Sequence, residues 1–382
     1  MSSSLQAPNA SRGACLRCLR RSWLLGQLSG PLDYCARDRT RLIDLLALAD
    51  DELLQAVAGR RAGELADRYK RFQVDEHEQA RHARICRHRN GYPRGLCAAM
   101  APPLLEVAGG VERLAKLAAA PVVAIVGSRA PSDYGMETAR TLARGLTASG
   151  VTVSACLSDG IAVAAHAGAL DTYGESIAVM GGGLDVSCPA RRRSLYERVK
   201  SAGCAVSELQ HDCSGRRWGQ LAAERIVVGL AQLTVLVEAD HTPGELAAAH
   251  ITQTLGRPLG VIPGRVSSPL SAGPHALLRA GAELICGPSD VLELLHLPDD
   301  RPADARPPQQ PMDATVTSGL PPELKETLAR VGGGCDTPEK LMSLGRDPER
   351  VLLALSELEL LGLIGRGDGG RYLPRQPLAA LG

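Results

Sequence analysis

The chain has 382 residues, room for two or three domains with ample core, and 45% hydrophobic with 22% charged residues is an ordinary globular balance. No apolar run is long enough to span a bilayer, and the start lacks the charged-then-apolar layout of a signal peptide, so neither a membrane nor a secreted protein is expected. A net charge of +1 decides nothing about nucleic acid, and eleven scattered cysteines, an odd number, point to reduced thiols in the cytoplasm.

Five of the 43 basic residues are Lys and the rest Arg. Arginine suits bidentate phosphate recognition, although a GC-rich genome produces the same bias. Residues 1–13 carry no periodic pattern. From Cys15 to about Arg89 the spacing is helical, as in "LIDLLALADDELLQAVAG", which ends at Gly59 as a C-cap. This gives an N-terminal helical domain over 14–90. Within it Cys15-x-x-Cys18 supplies half of a zinc site, for which Cys35, Cys86 and His88 are available partners. A second tight pair is missing, so no metal and no cofactor are expected.

A turn-rich passage, "YPRGLCAAMAPPLLEVAGGV", leads into a region over 91–297 where strands alternate with helices. The strand candidates are "VVAIVG", "VTVSACL", "SIAVMG", "CAVSEL", "LTVLVEA" and "PLGVIPG", each short, apolar and bounded by Gly or Pro. That is the signature of a doubly wound, mostly parallel α/β sheet. Residues 298–318 are rich in Pro, Asp and Arg without periodicity and read as a linker. The last unit, 319–376, shows helix starts at "PPELKETLARV", at Thr337-Pro338 and at Asp347-Pro348, then a hairpin in "LIGRGDGGRYLP". Three helices and a hairpin make a winged-helix pattern. Its third helix carries Glu349, Glu357 and Glu359 with only Arg350 basic, which favours protein contact over groove reading.

In an open α/β sheet, ligands gather at the carboxyl ends of the strands. Five stretches fall there. "VVAIVGSRAPSDYG" lacks both the dinucleotide fingerprint and the Lys-Ser/Thr of a P-loop. What remains is a turn of Gly127, Ser128 and Arg129 aimed at a helix start, which suits an external anion. On this stretch alone, a structural turn with Arg129 in solvent is equally consistent. "LSDGIAVAAHAGAL" puts Gly160 at a strand-to-helix junction. His166 follows on the helix, where a histidine facing a sheet is structural and no nucleophile–base set surrounds it. "VMGGGLDVSCPARRRSL" places Gly182 before Arg191, Arg192 and Arg193. "LAAERIVVGLAQ" contains Arg225, and "TPGELAAAH" starts a helix at Gly244. From Ser187 to Gly229 there are eight Lys/Arg against four Asp/Glu, a local basic excess in a near-neutral chain.

Taken in order, "VVAIVGSRAPSDYG", "GIAVAAHAGAL", "SIAVMGGGLDVSCP", "ERIVVGLA", "GELAAAHITQTLGRPLGVIPG" and "LLRAGAELI" resemble the DprA/Smf family over roughly residues 85–297. The resemblance implies an extended Rossmann-like domain that binds single-stranded DNA. It also implies a homodimer that helps load the RecA recombinase on strands taken up in natural transformation. Carried over by motif, Arg129 and Arg225 are the phosphate contacts, with the basic run Arg191–Arg193 beside them. The edge around Leu277, Leu278 and Ile285 resembles the family's dimer surface. This sequence departs from the family at Ala162, where Asp is usual, at "WGQLAAER", which replaces Phe-Pro-x-Arg-Asn-Arg, and at Pro243-Gly244-Glu245-Leu246. Trp218 stands as a substitute stacking platform for the lost aromatic. The expected protein is a non-enzymatic mediator. Two other readings stay open: a phosphoribohydrolase-type enzyme, faintly echoed by Gly181-Gly182-Gly183 and Pro243-Gly244-Glu245, and a scaffold of the same fold that no longer binds DNA.

Overall fold

The computed structural model describes residues 13–37, 39–73, 81–96, 101–172, 174–185, 190–210, 213–215, 217–296, 320–332, 337–342, 347–366 and 372–374. The linker expected over 298–318 therefore lies outside the described residues. The chain divides into two units, Met1–Ala305 and Arg306–Gly382.

The first unit begins with five helices: α1 (Leu16–Gln27), α2 (Ser29–Cys35), α3 (Arg39–Ala47), α4 (Asp50–Val57) and α5 (Ala62–Arg71). Then come β1 (Ala83–Cys86), β2 (Leu104–Ala108), α6 (Val111–Ala119), β3 (Val122–Val126), α7 (Asp133–Ala148), β4 (Thr152–Cys156), α8 (Ile161–Asp171) and β5 (Ser176–Val179). The rest is α9 (Ala190–Ala202), β6 (Cys204–Ser207), α10 (Arg217–Leu230), β7 (Leu233–Leu236), α11 (Ala247–Thr254), β8 (Leu259–Val261), α12 (Ala272–Arg279), β9 (Glu283–Leu284) and α13 (Pro288–Leu294). All nine strands form one sheet in the order β1-β2-β6-β5-β4-β3-β7-β8-β9. From β6 to β9 every pairing is parallel; β2 runs antiparallel to both β6 and β1.

Alternation along each strand sends side chains to opposite faces, and both faces are covered. From β3, Val123 and Ile125 join Val153, Val235, Leu142, Leu146 and Ala165 on one side, where α7 and α8 pack. Val122 and Ala124 point to the other side, with Ile177, Val206, Leu114, Ile226 and Leu230, where α6 and α10 pack. The doubly wound sheet expected from the strand pattern is present.

The N-terminal region differs from expectation in two ways. The helical region ends at Arg71, and Ala83–Cys86 is a strand of the sheet rather than the tail of a helical domain over 14–90. Nor is that region a separate body. Leu24, Leu28, Leu32, Leu53 and Leu65 share one core with Trp218, Leu221 and Ala222 of α10. An amphipathic helix needs an apolar partner face, and α10 supplies it. Along the opposite sheet edge, Leu277 and Ile285 are buried in the core and Leu278 is half-buried, so the exposed apolar residue of β9 is Leu284. Among the described residues no helix is long and apolar enough to cross a membrane.

The second unit holds α14 (Pro322–Gly332), α15 (Pro338–Met342), α16 (Pro348–Leu360) and the antiparallel pair β10 (Ile364–Arg366) and β11 (Tyr372–Pro374). The Asp347 carboxylate accepts from the Glu349 N–H at 3.2 Å, which caps α16 as the Asp-Pro pair suggested. Leu324, Leu328, Val351, Leu355, Leu358 and Ile364 form its own core.

Candidate nucleic-acid interface

β3 sits between β4 and β7, and the chain leaves it toward β4 but returns to β7 only after β6. The ends of β3 and β7 are thus the topological switch point, where an α/β sheet opens a crevice. The turn after β3 is fixed from both sides. The Ser128 N–H donates to the Glu238 carbonyl at 2.7 Å, and the Ile161 N–H donates to the Ser128 carbonyl at 3.1 Å. Gly160, at φ +79°, lies against the Ser128–Arg129 peptide. A Cβ there would come within 2.3 Å of the Ser128 carbonyl oxygen, so only glycine lets the two loops meet. Held this way, Arg129 is exposed. Among the described residues nothing hydrogen-bonds to it or pairs with it.

The mouth of α7, expected to receive an external anion, already holds an internal one. Ser132 caps the helix by accepting from the Gly135 N–H at 3.2 Å. The buried Glu238 carboxylate accepts from the Ser132 N–H at 2.8 Å and from its hydroxyl at 2.6 Å. A carboxylate at a helix N-terminus meets the same N–H groups and dipole that a phosphate would. Ser128 is engaged too: its hydroxyl donates to Glu245 at 2.6 Å, and the other Glu245 oxygen accepts from the Asp240 N–H at 2.8 Å. Gly244 lies half-buried in the turn before α11, which starts only at Ala247. Side-chain carboxylates at 238 and 245 give no sequence signal that they fold back on their own loops. At α7 this edge therefore offers the exposed Arg129 side chain rather than a free helix end.

The other expected contacts divide. Arg193 is exposed at the start of α9, and the side chain of Arg191 lies outside the described residues. Arg192 donates to the Leu157 carbonyl and stands 3.5 Å from Asp159, which ties α9 to the end of β4. The Gly182 carbonyl accepts from the Ser207 hydroxyl at 2.8 Å.

Arg225 is not placed as expected. Its side chain is 7% exposed and ion-paired with Glu208, itself 2% exposed. A guanidinium so committed is a buried ion pair, not a surface phosphate contact. It lines a cleft of about 620 Å³ beneath the N-terminal helices, together with Arg17, Arg21 and Arg87. Trp218 is fully buried, and its indole N–H donates to the Ser29 hydroxyl at 2.9 Å, so it offers no face for base stacking. His166 is buried and bonded to Ser176 at 2.7 Å, the structural role expected of it.

The cysteines come closer together than their sequence spacing suggests. No metal was expected for want of a second pair, yet Cys15, Cys18, Cys86 and His88 place their ligand atoms within 4.8 Å of one another. Cys35 is not among them.

Comparison with known proteins places this architecture. The family model for DNA recombination-mediator protein A matches residues 83–296. A "Putative DNA processing protein DprA" of Mycobacterium tuberculosis is 35% identical over 268 residues, covering 70% of this chain and 68% of that protein. "Protein Smf" of Escherichia coli is 35% identical over 257 residues, covering 65% of this chain and 66% of that protein. The X-ray structure of DNA processing protein A from Streptococcus pneumoniae superposes with a TM-score of 0.59 at 26% identity, covering 73% of this chain and 98% of the other. The resemblance read from the Gly127–Arg129 turn onward is thereby established: the chain belongs to the DNA recombination-mediator protein A family, DprA/Smf.

Proposed function

We propose that this protein is a non-enzymatic, cytoplasmic recombination mediator that captures single-stranded DNA by its phosphates at the carboxyl edge of the sheet. It then presents the strand to a RecA recombinase during natural transformation. The observation that carries this reading is Arg129: an exposed guanidinium on a fixed turn at the switch point, with no partner among the described residues. Arg193 adds exposed charge at the start of α9, and Arg191 belongs to the same turn. Phosphate capture by arginine is sequence-independent and needs no catalytic group. The relatives' names, DNA processing protein and recombination mediator, fit the same role. A homodimer through the β9 edge, with Leu284 at its centre, belongs to this reading.

The test is binding of fluorescent single-stranded oligonucleotides across a salt series. The logarithm of the association constant should fall by roughly 0.7 per phosphate neutralised for each tenfold rise in salt. Arg129→Ala should weaken binding about equally for all sequences and flatten the slope by about one contact's share. Binding by the variant equal to that of the parent at low salt removes this edge as the DNA site. Release of base from nucleoside monophosphates above a heat-killed control replaces the mediator reading with a hydrolase.

A further inference from the structure

Where α1 begins, its first turn meets the end of β1. Cys15 is the N-cap residue of α1 and Cys18 lies one turn on, so both sulfurs face the same way. Cys86 closes β1, and His88 stands two residues later in the following turn. The His88 Nδ1 lies 3.4 Å from the Cys15 Sγ and 3.3 Å from the Cys18 Sγ. The Cys15 N–H donates to the Cys86 Sγ at 3.4 Å, which draws the two ligand residues together. A tetrahedral zinc site has edges of about 3.8 Å between sulfurs and about 3.6 Å between sulfur and nitrogen. The four ligand atoms, all within 4.8 Å of one another, lie at that scale.

The backbone is shaped to keep them there. The Cys86 N–H donates to the Gly13 carbonyl at 3.1 Å. Gly13 passes so close to β1 that a Cβ on it would lie 1.7 Å from the Arg84 carbonyl oxygen. The segment leading to Cys15 can reach Cys86 only because residue 13 has no side chain. Cys18 and Cys86 are buried beside Ala14 and Leu104, while His88 is exposed and closes the cluster from the solvent side. No two of these cysteines are joined as a disulfide.

We propose that Cys15, Cys18, Cys86 and His88 bind one zinc ion that pins the start of α1 to the end of β1. Three soft thiolates and an imidazole fit zinc better than a hard cation. Four protein ligands fill a tetrahedron, which makes the site structural and leaves no position for substrate water. Three thiolates and a neutral imidazole leave the complex with one net negative charge. Arg17 and Arg87, each next to a ligand in sequence, supply cationic charge nearby. The ion cross-links residues about seventy apart and so contributes its binding energy to folding of the first unit.

Elemental analysis of the full-length protein, purified without chelator, tests this. The expected content is about one zinc per chain, released to a chromophoric chelator when an organomercurial blocks the thiols. Cobalt reconstitution should give the intense visible absorption of tetrahedral thiolate cobalt. His88→Ala alters an exposed residue and should fold, with zinc affinity at least tenfold lower. His88→Cys should keep the metal and shift the cobalt spectrum toward four thiolates. A folded parent with no zinc and no cobalt–thiolate band overturns the proposal. So does a Cys15–Cys18 disulfide found by mass spectrometry under reducing purification, or a metal content unchanged by Cys15→Ser with Cys18→Ser.

Discussion

A histidine kept out of water has to give up its charge. His166 is buried in α8, and Ser176 spends its hydroxyl proton on the Val153 carbonyl at 3.0 Å, so the ring Nδ1–H is the donor to Ser176. Burial pulls the imidazole from its usual 6.5 down to about 4, against a smaller opposing pull from the backbone of Ala155 and Cys156. The unfolded chain thus takes up a proton near pH 6.5 that the folded protein refuses until about pH 4. Stability is therefore full above pH 6.5 and declines as pH falls toward 4, by up to about 3 kcal/mol from this group. Urea midpoints measured from pH 7.5 to 4.5 should show that decline, and His166→Gln, though less stable at neutral pH, should show a shallower one. Equal slopes for parent and variant would assign the acid sensitivity to other groups.

α10 shows what one element does for two neighbours. Its outer face receives the N-terminal helices through Trp218, Leu221 and Ala222, while Ile226, Val227 and Leu230 pack on the sheet. Asp33 of α2 accepts from the Arg217 N–H at 2.6 Å, so a residue of the N-terminal region satisfies the first turn of α10. Trp218→Ala should cost about 3–5 kcal/mol and leave affinity for single-stranded DNA within twofold, since the indole touches helices and not solvent. A loss of DNA affinity larger than the loss of folded protein would return Trp218 to the binding surface. The same element marks the limit of what the sequence could tell. β3 to β8 were legible because each is a short apolar run closed by Gly or Pro. β1 and β2 were not, because "ARIC" and "LLEVA" are four- and five-residue strands hidden in irregular text, and only pairing of β2 with β6 and of β1 with β2 makes them strands. The turn that exposes Arg129 was legible from its Gly-Ser-Arg sequence. Arg225 is buried because it pairs with Glu208 across a loop, a contact that the sequence around it does not reveal. For the Cys–His cluster, the sequence named Cys86 and His88 beside Cys35 as partners but could not choose among them, because Cys86 and His88 straddle a strand end that the helical pattern concealed.

At the scale of the whole molecule, each of the two units closes its own core, and the sequence that joins them has the Pro- and Asp-rich composition of a linker. The second unit presents a surface ill-suited to phosphates. Along and just beyond α16, Leu352, Leu353, Leu360 and Leu361 are exposed, Leu360 at 88%. Glu349 and Glu357 are exposed on the same helix, and Arg350 is drawn to Glu323 at 3.2 Å. Exposed leucines flanked by carboxylates suit a protein partner, whereas a nucleic-acid reader needs cations on that helix. The proposed DNA site, in contrast, lies wholly within the first unit, on loops that follow β3, β4 and β5. Removing residues from Pro298 onward should therefore leave a folded protein whose affinity for a single-stranded oligonucleotide stays within tenfold of the full chain, with the same salt slope. It should lose any binding of protein partners that depends on the α16 face. A larger loss, more than about 1.4 kcal/mol, accompanied by a flatter salt slope would mean that cations of the second unit neutralise phosphates too. The acidic face of α16 would then have to turn away from the strand, and the basic residues on the other elements of that unit would carry the contact.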